Sequence, residues 1–142
     1  MDGSYCVVLE ATPDPADVRA VRDGLDAYNR ARVDDDVYRR LTLILRDPDA
    51  TVVGGLLGGT YWGWLYVEIL WVAEHVRGAG HGRAMLAAAE QEAVRRGCHH
   101  VHLDTMSFQS RSFYERQGYT VFGELHDFPA GHQRYFLQKA LV

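Results

Sequence analysis

Apolar residues first cluster at Tyr5–Leu9, a short run with β-branched members that predicts an opening strand. Thr12-Pro13-Asp14-Pro15 then reads as a helix start, with Asp14 as N-cap and Pro15 at the first helical position. Val18, Val21, Leu25 and Tyr28 recur at helical spacing to about Asn29. Asp34-Asp35-Asp36 breaks that period, and the segment Val37–Arg40 fits no single element. Leu41–Leu45 predicts a strand that stops at the turn Asp47-Pro48-Asp49-Ala50. Thr51-Val52-Val53 begins a glycine-rich strand reaching Tyr61, and Trp64–Val72 follows as a long strand after a bend at Gly63. Three strands in succession predict an antiparallel meander.

After Val72 the period changes. Arg77–Gly82 is a glycine-rich turn, and Arg83–Arg96 is helical, with Met85, Leu86, Ala89 and Ala93 as its apolar stripe. Glu90, Gln91, Glu92, Arg95 and Arg96 make its polar side, and Gly97 closes it as a C′ glycine does. Val101–Thr105 is again a strand, so residues 64–105 predict a strand–loop–helix–strand unit with a parallel crossover. Ser110–Gln117 reads as a short helix closed by Gly118, followed by strands at Thr120–Leu125 and Gln133–Lys139. With no repeat and no linker, residues 1–142 are expected to form one mixed α/β domain.

Composition narrows the function classes. A hydrophobic fraction of 47% with 24% charged residues is ordinary for a globular domain. No apolar stretch approaches the roughly 20 residues that span a bilayer, and Met1–Tyr5 lacks the basic start of a secretory signal. A cytoplasmic protein with no membrane partner is expected. The net charge of −4 and the absence of a basic stripe argue against nucleic-acid binding. Arg39-Arg40 and Arg95-Arg96 read as solvated strand and helix edges, and the acidic balance mildly favours a cationic partner such as an amine. Cys6 and Cys98 form no CxxC pattern; both read as small core residues rather than as parts of a zinc site or disulfide.

The chemistry concentrates in Arg77-Gly78-Ala79-Gly80-His81-Gly82. Glycines between a strand and a helix let backbone N–H groups approach a ligand closely, and the helix start adds unpaired donors and a positive dipole end. Phosphate oxygens suit such a place, with Arg77 or Arg83 as a charge-assisted partner. A Rossmann fingerprint fails, because its third glycine would fall on Arg83 or Met85. A P-loop fails as well, since Gly82 is followed by Arg83-Ala84. What remains is Arg-x-x-Gly-x-Gly.

That loop, preceded by Trp71–Val76 and joined to Phe113-Tyr114-Glu115-Arg116-Gln117-Gly118-Tyr119 about thirty residues later, resembles the GNAT superfamily of N-acetyltransferases from roughly Trp64 to Gly123. The resemblance implies a mixed, mostly antiparallel central sheet flanked by helices, with a central parallel strand pair splayed at the cofactor site. It implies acetyl-CoA as co-substrate, its diphosphate on the amides of Arg77, Gly78, Ala79, Gly80, His81 and Gly82, with Arg83 beside them. It also implies main-chain hydrogen bonds from Leu70, Trp71 and Val72 to the pantetheine arm.

Attack on a thioester needs an uncharged amine, whereas an alkyl ammonium of pKa ~10.4 is mostly protonated near neutrality. Alternation along Trp64–Val72 puts Tyr66, Glu68, Leu70 and Val72 on one face, where the resemblance locates general bases; Glu68 is the candidate. Tyr114 matches the family tyrosine that protonates the leaving thiolate. Family members often carry Asn where this chain has Ser107, whose shorter hydroxyl is expected to make a weaker or water-bridged cofactor contact. His81 stands where an aliphatic residue is usual.

His100, His102 and Asp104 share one strand face; metal ligation is one reading, but no further ligand is signalled and a half-exposed polar face is preferred. Asp104 could contact substrate. The loop His126–His132 joins the last two strands, either as an ordinary polar hairpin or as an acceptor-selecting loop using Glu124, Asp127 or His132. The function expected is direct acetyl transfer to a small-molecule primary amine or related nitrogen nucleophile, without metal. A protein acceptor (lysine or N-terminal amine) and a CoA-binding module without turnover are the alternatives. A homodimer paired through the C-terminal strands is an arrangement common in similar proteins.

Overall fold

The computed structural model describes residues 3–34 and 37–142, so Asp35 and Asp36 of the acidic break lie outside the described residues. Contacts divide the chain into two compact units, Met1–Asp36 and Val37–Val142. The first holds helix α1, Pro15–Arg30, capped at Asp14, whose carboxylate accepts from the Ala16 amide at 2.9 Å. The strand expected at Tyr5–Leu9 does not form; these residues are irregular and pair with no strand among the described residues. Strand propensity is realised only against a partner, which explains the difference. Cys6 is exposed, against the core position expected for it, while Cys98 is buried.

The second unit is a six-stranded sheet in the order β1-β2-β3-β4-β6-β5. Its strands are β1 (Arg39–Arg46), β2 (Val52–Tyr61), β3 (Trp64–Val72), β4 (His100–Met106), β5 (Thr120–His126) and β6 (Gln133–Ala140). All neighbours are antiparallel except β3 and β4, which run parallel. Helix α2, His81–Arg95, makes the crossover between them, and α3, Arg111–Arg116, precedes β5. The expected stripe of α2 is the buried one: Met85, Leu86, Ala89 and Ala93. Leu86, Ala89 and Ala93 share one buried cluster with Leu56, Leu65, Val101, Leu103 and Leu137, the last five all at most 2% exposed. Each such side chain contributes about 1.5–3 kcal/mol by leaving water. The helix ends as its glycine predicts, with Gly97 at φ +88° and the Cys98 amide donating to the Ala93 carbonyl at 2.9 Å.

Arg96 departs from the solvated role expected of it. Its guanidinium donates to Glu92 at 2.8 Å, to the Thr60 hydroxyl at 3.2 Å and to the Arg39 carbonyl at 3.1 Å, tying α2 to β1 and β2. Arg95 pairs with Glu92 from the exposed side.

Candidate functional site

The site begins with an interruption in β3. Leu57 faces Ile69 and Gly58 faces Val67, so Glu68 has no residue opposite it and forms a β-bulge. Gly58 permits the close approach, since a Cβ there would collide with the Tyr66 carbonyl oxygen. The bulge resets the alternation. Leu65 and Val67 are buried before it, whereas Leu70 packs on the core after it and Ile69 and Trp71 are exposed. Tyr66 lies on the other face, stacked on His102 with ring centroids 4.9 Å apart. The single face expected for Tyr66, Glu68, Leu70 and Val72 is therefore incorrect, because counting by two does not survive an extra residue.

The same interruption opens the sheet. β3 pairs with β4 only from Trp64↔His100 to Val67↔Leu103. Beyond that point β3 stays with β2 as far as Val72, and β4 stays with β6 as far as Met106. The strands part into a groove of about 720 Å³. Every residue expected to hold the cofactor or act in catalysis, except Ala79 and Ser107, lines it, Glu68 and Tyr114 included, whereas Glu124, Asp127 and His132 of the β5–β6 hairpin do not.

Along one wall, β3 presents an unpaired edge. The Val72 carbonyl faces the gap, where it accepts from Arg77 Nε at 2.8 Å. The Trp71 carbonyl faces β2 instead, 2.8 Å from where a Cβ on Gly54 would sit. Alternation then turns the N–H and C=O of Leu70 into the groove. At its end the loop reverses through Gly78 and Gly80, at φ +83° and +86°. α2 starts at His81, two residues before the expected start, with Gly80 in the N-cap position and no side-chain cap. The Ala84 amide donates to the Gly80 carbonyl at 3.0 Å, but the amides of Gly78 through Arg83 meet no acceptor among the described residues. A continuous row of donors thus crowns a helix dipole.

Charge is graded along the groove. Arg77, Arg83 and Arg116 lie towards the α2 and α3 side, and none pairs with a carboxylate among the described residues. Glu68 and Asp104 stand where β3 and β4 part. Asp104 is held by Arg134, whose Nε and terminal nitrogen lie 3.0 and 2.9 Å from its Oδ1. Arg134 is itself flanked by the rings of Phe128 and Phe136, at 4.8 and 5.0 Å. Burial, helped by the Asp104 charge, pushes the Tyr114 phenol up to about 12. Phe113 meets it edge-on at 5.1 Å. Tyr119 takes a separate role: its hydroxyl donates to Glu90 at 2.6 Å, and Lys139 donates to the other oxygen of that carboxylate at 3.0 Å.

Ser107 is not brought to the groove. Its Oγ accepts from the Gln133 amide at 3.1 Å and lies 3.2 Å from His132 Nδ1, joining the end of β4 to the β5–β6 loop. His100 and His102 flank Trp64 and Tyr66 in a ladder of rings, and no group of three ligand-type residues able to hold a metal occurs among the described residues. Burial lowers the His102 pKa, with the Asp104 charge working the other way. Among the groove residues that the sequence did not mark for the site are Gln109 and Arg116. Arg116 lay within the Phe113–Tyr119 signature; Gln109 carried no motif signal at all.

The chain matches the acetyltransferase (GNAT) family model over residues 10–119. An acetyltransferase of Agrobacterium fabrum is 42% identical over 132 residues, covering 93% of this chain and 96% of the relative. The blasticidin-S acetyltransferase of Streptomyces morookaense is 40% identical over 91 residues, 63% of this chain and 67% of the relative. The crystal structure of an acetyltransferase from Agrobacterium tumefaciens superposes with a TM-score of 0.87 at 40% identity, covering 96% of this chain and 99% of that one.

Proposed function

The chain belongs to the GNAT acetyltransferase family and is an acyl-transfer enzyme, and we propose that it moves an acetyl group from acetyl-CoA directly onto the amine nitrogen of a small molecule. The observation that carries this reading is the row of unpaired amides from Gly78 to Arg83, set beside the free edge of β3. The groove fits acetyl-CoA on chemical grounds. The amide row and the three arginines suit a diphosphate, and the Leu70 main chain suits an amide-bearing arm. A match running from residue 10 to 119 crosses both compact units, which supports one acetyltransferase domain over 1–142.

Acetyl-CoA supplies the activated thioester; the chain supplies position and proton handling. Glu68, an exposed residue lining the groove, takes the proton from the incoming ammonium, directly or through water. A main-chain N–H on the Leu70–Val72 edge stabilises the oxyanion. Tyr114 faces the leaving sulfur as donor. Its pKa of about 12 stands above the ~8.5 of a thiol, so the proton stays largely on the phenol and the group acts by hydrogen bonding. That refines the full proton transfer expected from the family pattern.

A small amine is supported by the relative named for blasticidin S and by the two carboxylates, Glu68 and Asp104, that line the groove. A homodimer is supported by Phe122 and Leu125, exposed on the outer strand β5, and sedimentation of the purified chain checks it. No described helix is long and apolar enough to cross a membrane, and a cytoplasmic location belongs to the same proposal. The test of function is thiol release from acetyl-CoA across a panel of small amines. Amine-dependent release supports the reading; release only with peptides overturns the acceptor, and no release with any nitrogen nucleophile overturns the whole.

A further inference from the structure

Gln109 sits in the turn between β4 and α3 and lines the groove. Its Oε1 accepts from the Met106 amide at 2.8 Å and lies 3.3 Å from Thr105 Oγ1. A backbone N–H can give its proton only to the carboxamide oxygen, so the contact with Met106 fixes which end of the side chain is which. Thr105 is 3% exposed; its hydroxyl accepts from the Ser110 amide at 3.3 Å and has its own proton left for Gln109. Both oxygen-side contacts hold the side chain in one orientation. The Nε2 group, with two donors, meets no acceptor among the described residues.

We propose that Gln109 binds the pantetheine arm of CoA, its Nε2 donating to an amide carbonyl of the arm, with Thr105 as the residue that positions it. The proposal rests on the reading of the groove as an acetyl-CoA site. An arm of this kind carries secondary amides, each with a donor and an acceptor to be satisfied on leaving water. The free edge of β3 at Leu70 offers partners from one wall, and Gln109 lines the same groove from the β4–α3 side. Ser107, the residue that the family resemblance suggested, has its hydroxyl engaged by Gln133 and His132.

Two variants separate a donor from a merely structural side chain. Gln109→Glu keeps an oxygen for the Met106 amide and the Thr105 hydroxyl but removes the donor. Gln109→Leu removes the donor without adding charge. Calorimetry on the full chain should show CoA binding about tenfold weaker in both variants, the loss that follows from one hydrogen bond. Adenosine 3′-phosphate 5′-diphosphate, the half of CoA without the arm, should bind all three proteins alike. Wild-type affinity for CoA in either variant overturns the proposal. So does an equal loss for CoA and the fragment, which would mean a charge or folding effect. Failure of the wild-type chain to bind either ligand overturns instead the reading of the groove.

Discussion

Val67 and Leu103 are the last partners across the parallel seam of the sheet, and the residues that follow them, Glu68 and Asp104, both line the groove. One carboxylate is pinned: Asp104 is bound twice by Arg134. The other is not, for Glu68 has no ion-pair partner among the described residues. A proton acceptor must be able to receive and release, so the unpaired carboxylate suits that work and the paired one suits orientation.

Glu68→Gln keeps the size of the side chain at the bulge and removes its basicity. Turnover should fall by about a hundredfold or more at neutral pH, with calorimetric affinity for CoA unchanged. The loss should shrink as pH rises and more of the amine is already neutral. An unchanged rate at neutral pH would remove Glu68 as base.

Tyr114→Phe retains the packing against Phe113 and deletes one hydroxyl. Loss of a donor aimed at developing charge should lower kcat by about a hundredfold. Because burial holds the phenol near 12, the wild-type rate should show no alkaline decline belonging to Tyr114 around the ordinary tyrosine value of about 10. A rate profile that breaks there in the wild type and not in the variant would contradict the buried assignment.

Gly80→Ala tests the loop by backbone strain alone. Nothing lies within 4 Å of the added Cβ, so the cost comes from φ at +86°. That cost is about 1–2 kcal/mol, worth a few degrees in Tm for a chain of this size, and CoA binding should weaken as the amide row shifts. Gly82→Ala is the contrast. Its Cβ would meet Phe113 at 3.6 Å in ordinary contact within α2, so Tm should hold or rise.

Much of this arrangement could be read from the chain. The stripe of α2 followed from periodicity, because that helix buries one continuous face, and the bounds of β3 followed from a long apolar run after the bend at Gly63. The loop followed from glycine spacing, since the reversal at Gly78 and Gly80 needs positive φ. What escaped depends on partners distant in sequence. The bulge at Glu68 exists only relative to β2, through the close approach at Gly58. Arg96 looks like any helix-end cation until Thr60 and the Arg39 carbonyl are brought to it. Ser107 and Gln109 stand two residues apart, and only the turn geometry decides which side chain enters the groove.

Arg96→Met should therefore destabilise without touching catalysis. The substitution keeps an apolar stem but leaves Glu92, Thr60 and the Arg39 carbonyl short of a donor. Loss of charge-assisted bonds at a part-buried site costs about 1.5–3 kcal/mol. Thermal unfolding should show that loss while KM for acetyl-CoA stays the same.

His102 predicts how stability responds to acid. Its ring lies between Trp64 and Tyr66, and burial lowers its pKa despite the opposing pull of Asp104. The unfolded chain then takes up the proton at a higher pH, near the ordinary value of about 6.5, than the folded chain does. Stability from the neutral ring is fully present above that value and is lost as pH falls through it towards the lower folded pKa. Tm of the wild-type chain should drop across this window, and His102→Gln, which cannot titrate, should drop less. An equal decline in both would show that the acid sensitivity does not belong to His102.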